Sequence, residues 1–235
     1  MKKEDQFQEN FGIMSLEEWK KIANTKVLLV GLGGLGGHIA NSLARIGVKS
    51  LVLVDYDRFD ISNLNRQLFS SLAVVGRYKA TVLVEELKKI NSDIRITSYE
   101  TPAQELNDSV FDDVDIIIDA VDDIQSKLFL ESLGSSHHKP LLHGAVGGWY
   151  GQIGIALPGS NLLKELYANS EVGLEQTLKS PTFTPAVVAN MMVGELIKYV
   201  LGNKNALANK IMMIDLLNNE CRIVCQKSLH NSQTL

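Results

Sequence analysis

This chain of 235 residues predicts an α/β fold, a Rossmann-like, mostly parallel sheet with helices on both faces, extended by antiparallel strands in its C-terminal part. Three observations predict it. Strand-like and helix-like runs alternate from residue 26 onward, which is the order of a parallel sheet. The first strands are uninterrupted apolar runs, as burial on both faces requires. The turn Gly31-Leu32-Gly33-Gly34-Leu35-Gly36 ends the first strand and opens a helix, where backbone N–H groups and the helix dipole can face a phosphate.

Leu16, Trp19 and Ile22 recur at helical spacing behind Ser15, with Glu18 three residues on, so a capped helix over 16–24 precedes the sheet. KVLLVG (26–31) is the first strand, followed by a helix over 35–47, SLVLVD (50–55), a helix over 78–90 and DIRITSY (93–99). DIIIDA (115–120) leads to a helix over 124–133, then to PLLHGAV (140–146) and YGQIGIAL (150–157). Periodicity is weak between Pro158 and Pro181, which marks 158–183 as an irregular crossover or lid. A helix over 184–201 closes at Gly202, and KIMMIDL (210–216) and CRIVCQ (221–226) flank an Asn218-Asn219 hairpin turn. The expected organisation is a single domain, 1–235. It has an N-terminal extension and helix in 1–24, a nucleotide-binding half in 25–157, the crossover, and a C-terminal helix and strands in 184–235.

Composition narrows the function. The chain is 45% hydrophobic and 21% charged with a formal net charge of −4, so it lacks the basic footprint of general nucleic-acid or membrane binding. Small anionic substrates stay open. Its two cysteines, Cys221 and Cys225, exclude a disulfide framework and lie outside any two-pair zinc spacing. Four apart on a strand, they share a face and read as core or sheet residues. Residues 1–10 are polar, and no stretch approaches the roughly 20 apolar residues of a membrane span, so the expected location is cytoplasmic.

Gly31, Gly33 and Gly36 give the G-x-G-x-x-G spacing in strand-to-helix context, with Gly34 inside the same turn. Asp55 ends the next strand, where an acidic side chain reaches ribose hydroxyls. To this point an NAD-dependent oxidoreductase explains the residues equally well. The tie is broken by Ile61-Ser62-Asn63-Leu64-Asn65-Arg66-Gln67, by Gly76-Arg77-Tyr78-Lys79 and by Asp119-Ala120-Val121-Asp122-Asp123. Arg66 offers a planar fork for phosphate oxygens, Lys79 a compact ammonium near a helix start, and Asp122 a hard oxygen ligand for magnesium. Redox chemistry needs none of them. Asp57, Asp119 and Asp123 are further candidates, against their plain reading as caps and turn formers.

At these residues the chain resembles the MoeB/ThiF/HesA family, the bacterial relatives of ubiquitin-activating enzymes, from about Phe11 through the closing strands. GLGGLG, VDYD, SNLNRQ, the lysine-bearing helix start and the DAxD-type strand end carry the resemblance jointly. It implies adenylation, by ATP with Mg2+, of the C-terminal glycine of a small ubiquitin-like sulfur-carrier protein ending in Gly-Gly, on a homodimer. By the same resemblance Asp55 is the ribose-binding acid, Asn63 and Lys79 are phosphate contacts, and Asp122 holds magnesium. Arg66 resembles the arginine that reaches across the dimer to the neighbouring site's phosphates, and Gln67 lies in the same motif.

Departures from the family pattern shape the expectation. The two CxxC pairs of many members are absent, so no zinc is expected, and no cysteine precedes Cys221. The crossover therefore offers no thiol nucleophile, and sulfur transfer falls to a separate sulfurtransferase. Lys127 stands where relatives often carry an arginine, keeping charge without the fork. Two other functions share the same nucleotide site. One is an ATP-dependent tRNA threonylcarbamoyladenosine dehydratase-like enzyme, against which the acidic balance argues. The other is a non-catalytic nucleotide-binding module, suggested by the missing zinc cysteines and by Lys127. His137 and His138 read as solvated loop residues, His143 as structural, and Trp149 and Tyr150 as a turn that covers the sheet edge or meets a carrier tail.

Overall fold

The computed structural model describes residues 3–225 except 169 and 171–177, so Gln226 of the last expected strand and part of the expected lid lie outside the described residues. Ser15 starts the first helix, α1 (Leu16–Asn24). Its hydroxyl accepts from the Glu18 N–H while the Glu18 carboxylate accepts from the Ser15 N–H, a reciprocal pair that satisfies two donors of the free helix end. The apolar face of α1 buries Trp19, Ile22 and Ala23. Phe7 and Phe11, on a 3-10 helix over Lys3–Gly12, pack on the Trp19 ring at centroid distances of 5.3 and 5.8 Å.

Eight strands form one sheet. β1 (Lys26–Val30), β2 (Ser50–Val54), β3 (Arg95–Tyr99), β4 (Ile116–Asp119) and β5 (Leu141–Gly147) pair in parallel. β6 (Tyr150–Ala156), β7 (Lys210–Asp215) and β8 (Glu220–Cys225) add in antiparallel sense. The order is β3-β2-β1-β4-β5-β6-β7-β8. Helices α2 (Gly34–Ile46), α3 (Lys79–Ile90) and the long α7 (Phe183–Val200) join α1 over one face, where Ile39, Leu43, Leu83, Val188 and Met192 are buried. The other face is covered by α4 (Ser109–Asp112), α5 (Ile124–Ser136) and α6 (Leu162–Leu166), through Phe111, Leu130, Leu162 and Leu163. Both faces are thus covered, which is why β1 and β4 are almost wholly buried while β3, at the edge, is not.

The chain leaves β1 toward β2 on one side and comes back to β4 on the other. Connections depart in opposite directions there, and a crevice opens beyond the carboxyl ends of β1 and β4. Three features differ from expectation. The 3-10 turns at Ile61–Asn63, Leu72–Val74 and Ala103–Glu105, with α4 and α6, are too short to leave a periodic pattern. The last hairpin turns over four residues, 216–219, with Asn219 at φ 58°, and Asp215 accepts from the N–H groups of Leu217 and Asn218. Cys221 and Cys225 are sheet residues but not core. β8 is an edge strand, and both thiols are exposed.

Candidate functional site

The crevice is a cleft of about 290 Å3 lined by Gly31, Gly33, Gly34, Asp55, Asp57, Asn63, Arg66, Gln67, Lys79 and Asp122, so ten of the expected site residues meet in one place. Gly36 does not line it. A Cβ there would stand 1.9 Å from the Gly31 carbonyl oxygen, so Gly36 lets α2 close on the strand end instead of touching a ligand. Gly31 needs its glycine twice over, with φ at +88° and a would-be Cβ 2.5 Å from the Ala120 oxygen. The cap of α2 is Gly33, which offers no side-chain acceptor, so the first N–H groups of the helix are left for a ligand.

Asp55 holds this turn in shape. One carboxylate oxygen accepts from the Leu32 N–H (2.6 Å) and the other from the Asp57 N–H (2.8 Å). Burial pushes its carboxyl above the usual carboxylate range, with the Lys79 ammonium pulling the other way. Lys79 opens α3, is buried, and donates to Asp57 at 2.9 Å. Asn63 lies in the capped 3-10 turn after Asp60, and its side-chain oxygen accepts from the Asp60 N–H.

Arg66 lines the cleft of its own chain. Its Nη1 donates to the Ser62 carbonyl (3.1 Å) and to the Asn65 side chain (3.0 Å). Its Nε and the Oε1 of Gln67 are buried with no hydrogen-bond partner. Orphaned polar atoms of this kind cost free energy unless a ligand completes them.

The aspartates after β4 divide by role. Asp122 is exposed on the cleft, whereas Asp123 also caps α5 by accepting from the Ser126 N–H (2.7 Å). Asp119 is wholly buried beneath the cleft, held by Lys127 and His143. Lys127 therefore has no nucleotide contact for a missing fork to weaken, because its ammonium is spent on Asp119 and on the carbonyls of Val121 and Gly144. His143 is structural as expected, but His137 is not simply solvated, since it pairs with Asp112 and packs on Phe111. Trp149 packs against Phe183 with the rings tilted by 49° and their centroids 4.5 Å apart, while staying 44% exposed. Residues that sequence reasoning passed over form the far wall: Thr101, Pro102, Ala103, Gln104 and Phe129. They come from a loop without a motif and from mid-helix, so only the crossing of the chain brings them to the glycine turn.

The ThiF family description matches residues 6–235. The chain belongs to the ThiF family. Among the most similar curated relatives of this ThiF-family chain is a "Probable molybdopterin-synthase adenylyltransferase" of Gracilaria tenuistipitata var. liui. It is 29% identical over 206 residues, covering 84% of this chain and 57% of the relative. The SUMO-activating enzyme subunit 2 of Dictyostelium discoideum is 30% identical over 141 residues, 59% of this chain and 21% of that one. The chain thus spans little more than half of the first relative and a fifth of the second. Among solved structures, E. coli MccB with ATP superimposes with a TM-score of 0.75 at 22% identity, covering 94% of this chain and 71% of that one, a likeness of fold. Among the described residues no helix is long and apolar enough to cross a membrane.

Proposed function

We propose that this ThiF-family chain is an adenylyltransferase of the ubiquitin-activating type. It would use ATP to adenylate the C-terminal glycine of a small ubiquitin-like carrier protein, leaving sulfur transfer to another protein. The observation that carries the reading is the pair of orphaned polar atoms, Arg66 Nε and Gln67 Oε1, buried beside a glycine turn at the switch point of the sheet. They want a ligand with both acceptor and donor groups, and a nucleoside triphosphate has both. The apolar wall of Pro102, Ala103 and Phe129 suits a base, with the Gln104 amide at hand.

In this mechanism the carrier carboxylate attacks the α-phosphorus of ATP, pyrophosphate leaves, and the carrier carries an acyl-adenylate. No protein nucleophile takes part. The chain's own work is alignment and charge stabilisation. The free N–H groups at the start of α2 receive phosphate oxygens, Asp55 faces the ribose, and Asn63 orients the phosphates. Lys79 exchanges its Asp57 partner for a phosphate, and Arg66 completes its hydrogen bonds on the departing pyrophosphate.

Magnesium fits the donor set. Among the described residues no three His, Cys, Asp or Glu side chains form a ready cage, and magnesium with a polyphosphate asks for only one or two carboxylates. Asp122, exposed on the cleft, would hold it, and the ion would supply charge neutralisation on the phosphates. A homodimer is part of the same reading, each cleft being served by its own Arg66.

Carrier-dependent exchange of pyrophosphate into ATP is the test. With a Gly-Gly-ending carrier encoded beside this chain, exchange is expected, and Arg66→Ala or Lys79→Ala should cut it by about 100-fold or more. No exchange with any encoded carrier would sink the reading.

A further inference from the structure

A chain of buried polar side chains runs from beneath the cleft to the segment between β6 and α7, and nothing in the adenylation chemistry uses it. Asp119, at the end of β4, accepts from the Val121 N–H (3.1 Å) and from Lys127 Nζ (3.2 Å) with one oxygen. Its other oxygen lies 2.7 Å from His143 Nδ1. His143 is fully buried, and its Nε2 lies 3.2 Å from the hydroxyl of Tyr167, whose oxygen is also 3.1 Å from Gln152 Oε1, so the one hydroxyl proton is shared between two acceptors. The two rings meet edge to face, 83° apart.

Each end of the chain is anchored in something that matters. At the inner end, Val121 is gripped twice, its N–H by Asp119 and its carbonyl by Lys127, so the turn Ala120–Val121 has no slack. That turn lines the cleft, presses against Gly31 and presents Asp122. At the outer end Tyr167 follows α6, whose Leu163 and Lys164 N–H groups donate to the carboxylate of Glu131 on α5 at 2.7 and 3.0 Å. The start of the crossover and the floor of the cleft are therefore joined by three side chains in hydrogen-bond contact, Tyr167, His143 and Asp119, with Lys127 tying in β5 through the Gly144 carbonyl (2.9 Å). Burial holds the His143 ring below its usual range, so it is the neutral imidazole, with one nitrogen to donate and one to accept, that fits between Asp119 and Tyr167.

We propose that Tyr167 is a positioning residue for the nucleotide. Its hydroxyl, through His143 and Asp119, sets the Ala120–Asp122 turn, so that occupation of the cleft and the order of residues 162–168 bias each other. The inference rests on reading the cleft as an ATP site. Coupling of this kind is reciprocal: if Tyr167 favours ATP, then ATP must steady Tyr167 and its neighbours by the same free energy.

Calorimetric titration of the full chain with Mg-ATP, paired with amide hydrogen exchange, tests both directions. In the unaltered chain ATP should slow exchange at 31–36 and also at 162–168. Tyr167→Phe keeps the ring and removes only the hydroxyl. In it the protection at 31–36 should remain, that at 162–168 should vanish, and the Kd for ATP should rise about fivefold. A hydroxyl that merely stabilised the fold would leave the ATP-dependent protection at 162–168 in place, and that result overturns the inference. The unaltered chain decides even if the variant does not fold: protection at 31–36 without any at 162–168 overturns the coupling alone. Absence of both, with no heat of binding, overturns the ATP reading along with it.

Discussion

At the carboxyl ends of β1 and β4 the backbone itself is the constraint, whereas at Gly144 of β5 and Gly151 of β6 the constraint is carried by side chains. Around the cleft, Gly31 and Gly36 are packed against carbonyl groups that cannot move away. In the antiparallel half Gly154 is held in the same way, its would-be Cβ 2.6 Å from the Lys210 carbonyl oxygen, but two other close glycines face side chains. A Cβ on Gly144 would meet the Met192 sulfur at 2.3 Å, the far end of a flexible chain, and one on Gly151 would meet a Val188 methyl at 2.4 Å. The difference teaches where the site's precision resides. Phosphate recognition by N–H groups needs the main chain fixed, while around Gly144 the Met192 side chain can repack.

The largest expected effect is at the point where the two halves meet. Asp119→Ala should destabilise the chain by about 3–5 kcal/mol, because it strands the buried Lys127 ammonium. Urea unfolding measures it, and a loss under about 1 kcal/mol would show that Lys127 finds compensation from Val121 and Gly144 alone. The glycine comparison comes next. Gly36→Ala should cost about 3 kcal/mol, as overpacking against backbone does, and Gly144→Ala about 1 kcal/mol or less after Met192 swings aside. Equal losses in the same denaturation experiment would erase the distinction between the rigid and the soft site.

The smallest effect is a slope with pH. Burial lowers the His143 pKa from its usual 6.5, so below pH 6.5 the unfolded chain binds a proton that the folded chain refuses. Stability from this group is complete above pH 6.5 and falls as the medium is acidified, by at most about 1.4 kcal/mol per pH unit. His143→Gln should flatten the curve between pH 6.5 and 5.5, which chemical denaturation at the two values reads directly. An unchanged slope would place the titration elsewhere.

How legible each half was in the sequence follows from the same contrast. Gly31, Asp55, Lys79 and Asp122 sit at strand ends and helix starts, where local pattern and site coincide, and the structure brings them to one cleft. The strands and long helices were readable because their apolar periods survive burial of one or both faces. Spacing alone cannot tell a glycine that faces a phosphate from one that admits a helix, which is why Gly36 belongs to the motif without lining the cleft. The place of Lys127 after Asp122 says nothing of which way its side chain turns, and the fold turns it to Asp119. His143 and Tyr167 are 24 residues apart and share no period, so only the crossing of the chain brings them together. Cys221 and Cys225 lie on the expected strand, but a strand pattern does not say whether another strand lies beyond it, and among the described residues none lies beyond β8.

β5 belongs to both halves. Leu141, Leu142 and His143 pair in parallel with β4, and the whole strand from Leu141 to Gly147 pairs in antiparallel with β6. Strand side chains alternate faces, so one residue inserted ahead of His143 would turn its ring from Asp119 toward α7 and, in the same stroke, swing Gly144 out from under Met192. The strand itself is a common ruler, and a single insertion within it disturbs the cleft floor and the antiparallel half at once.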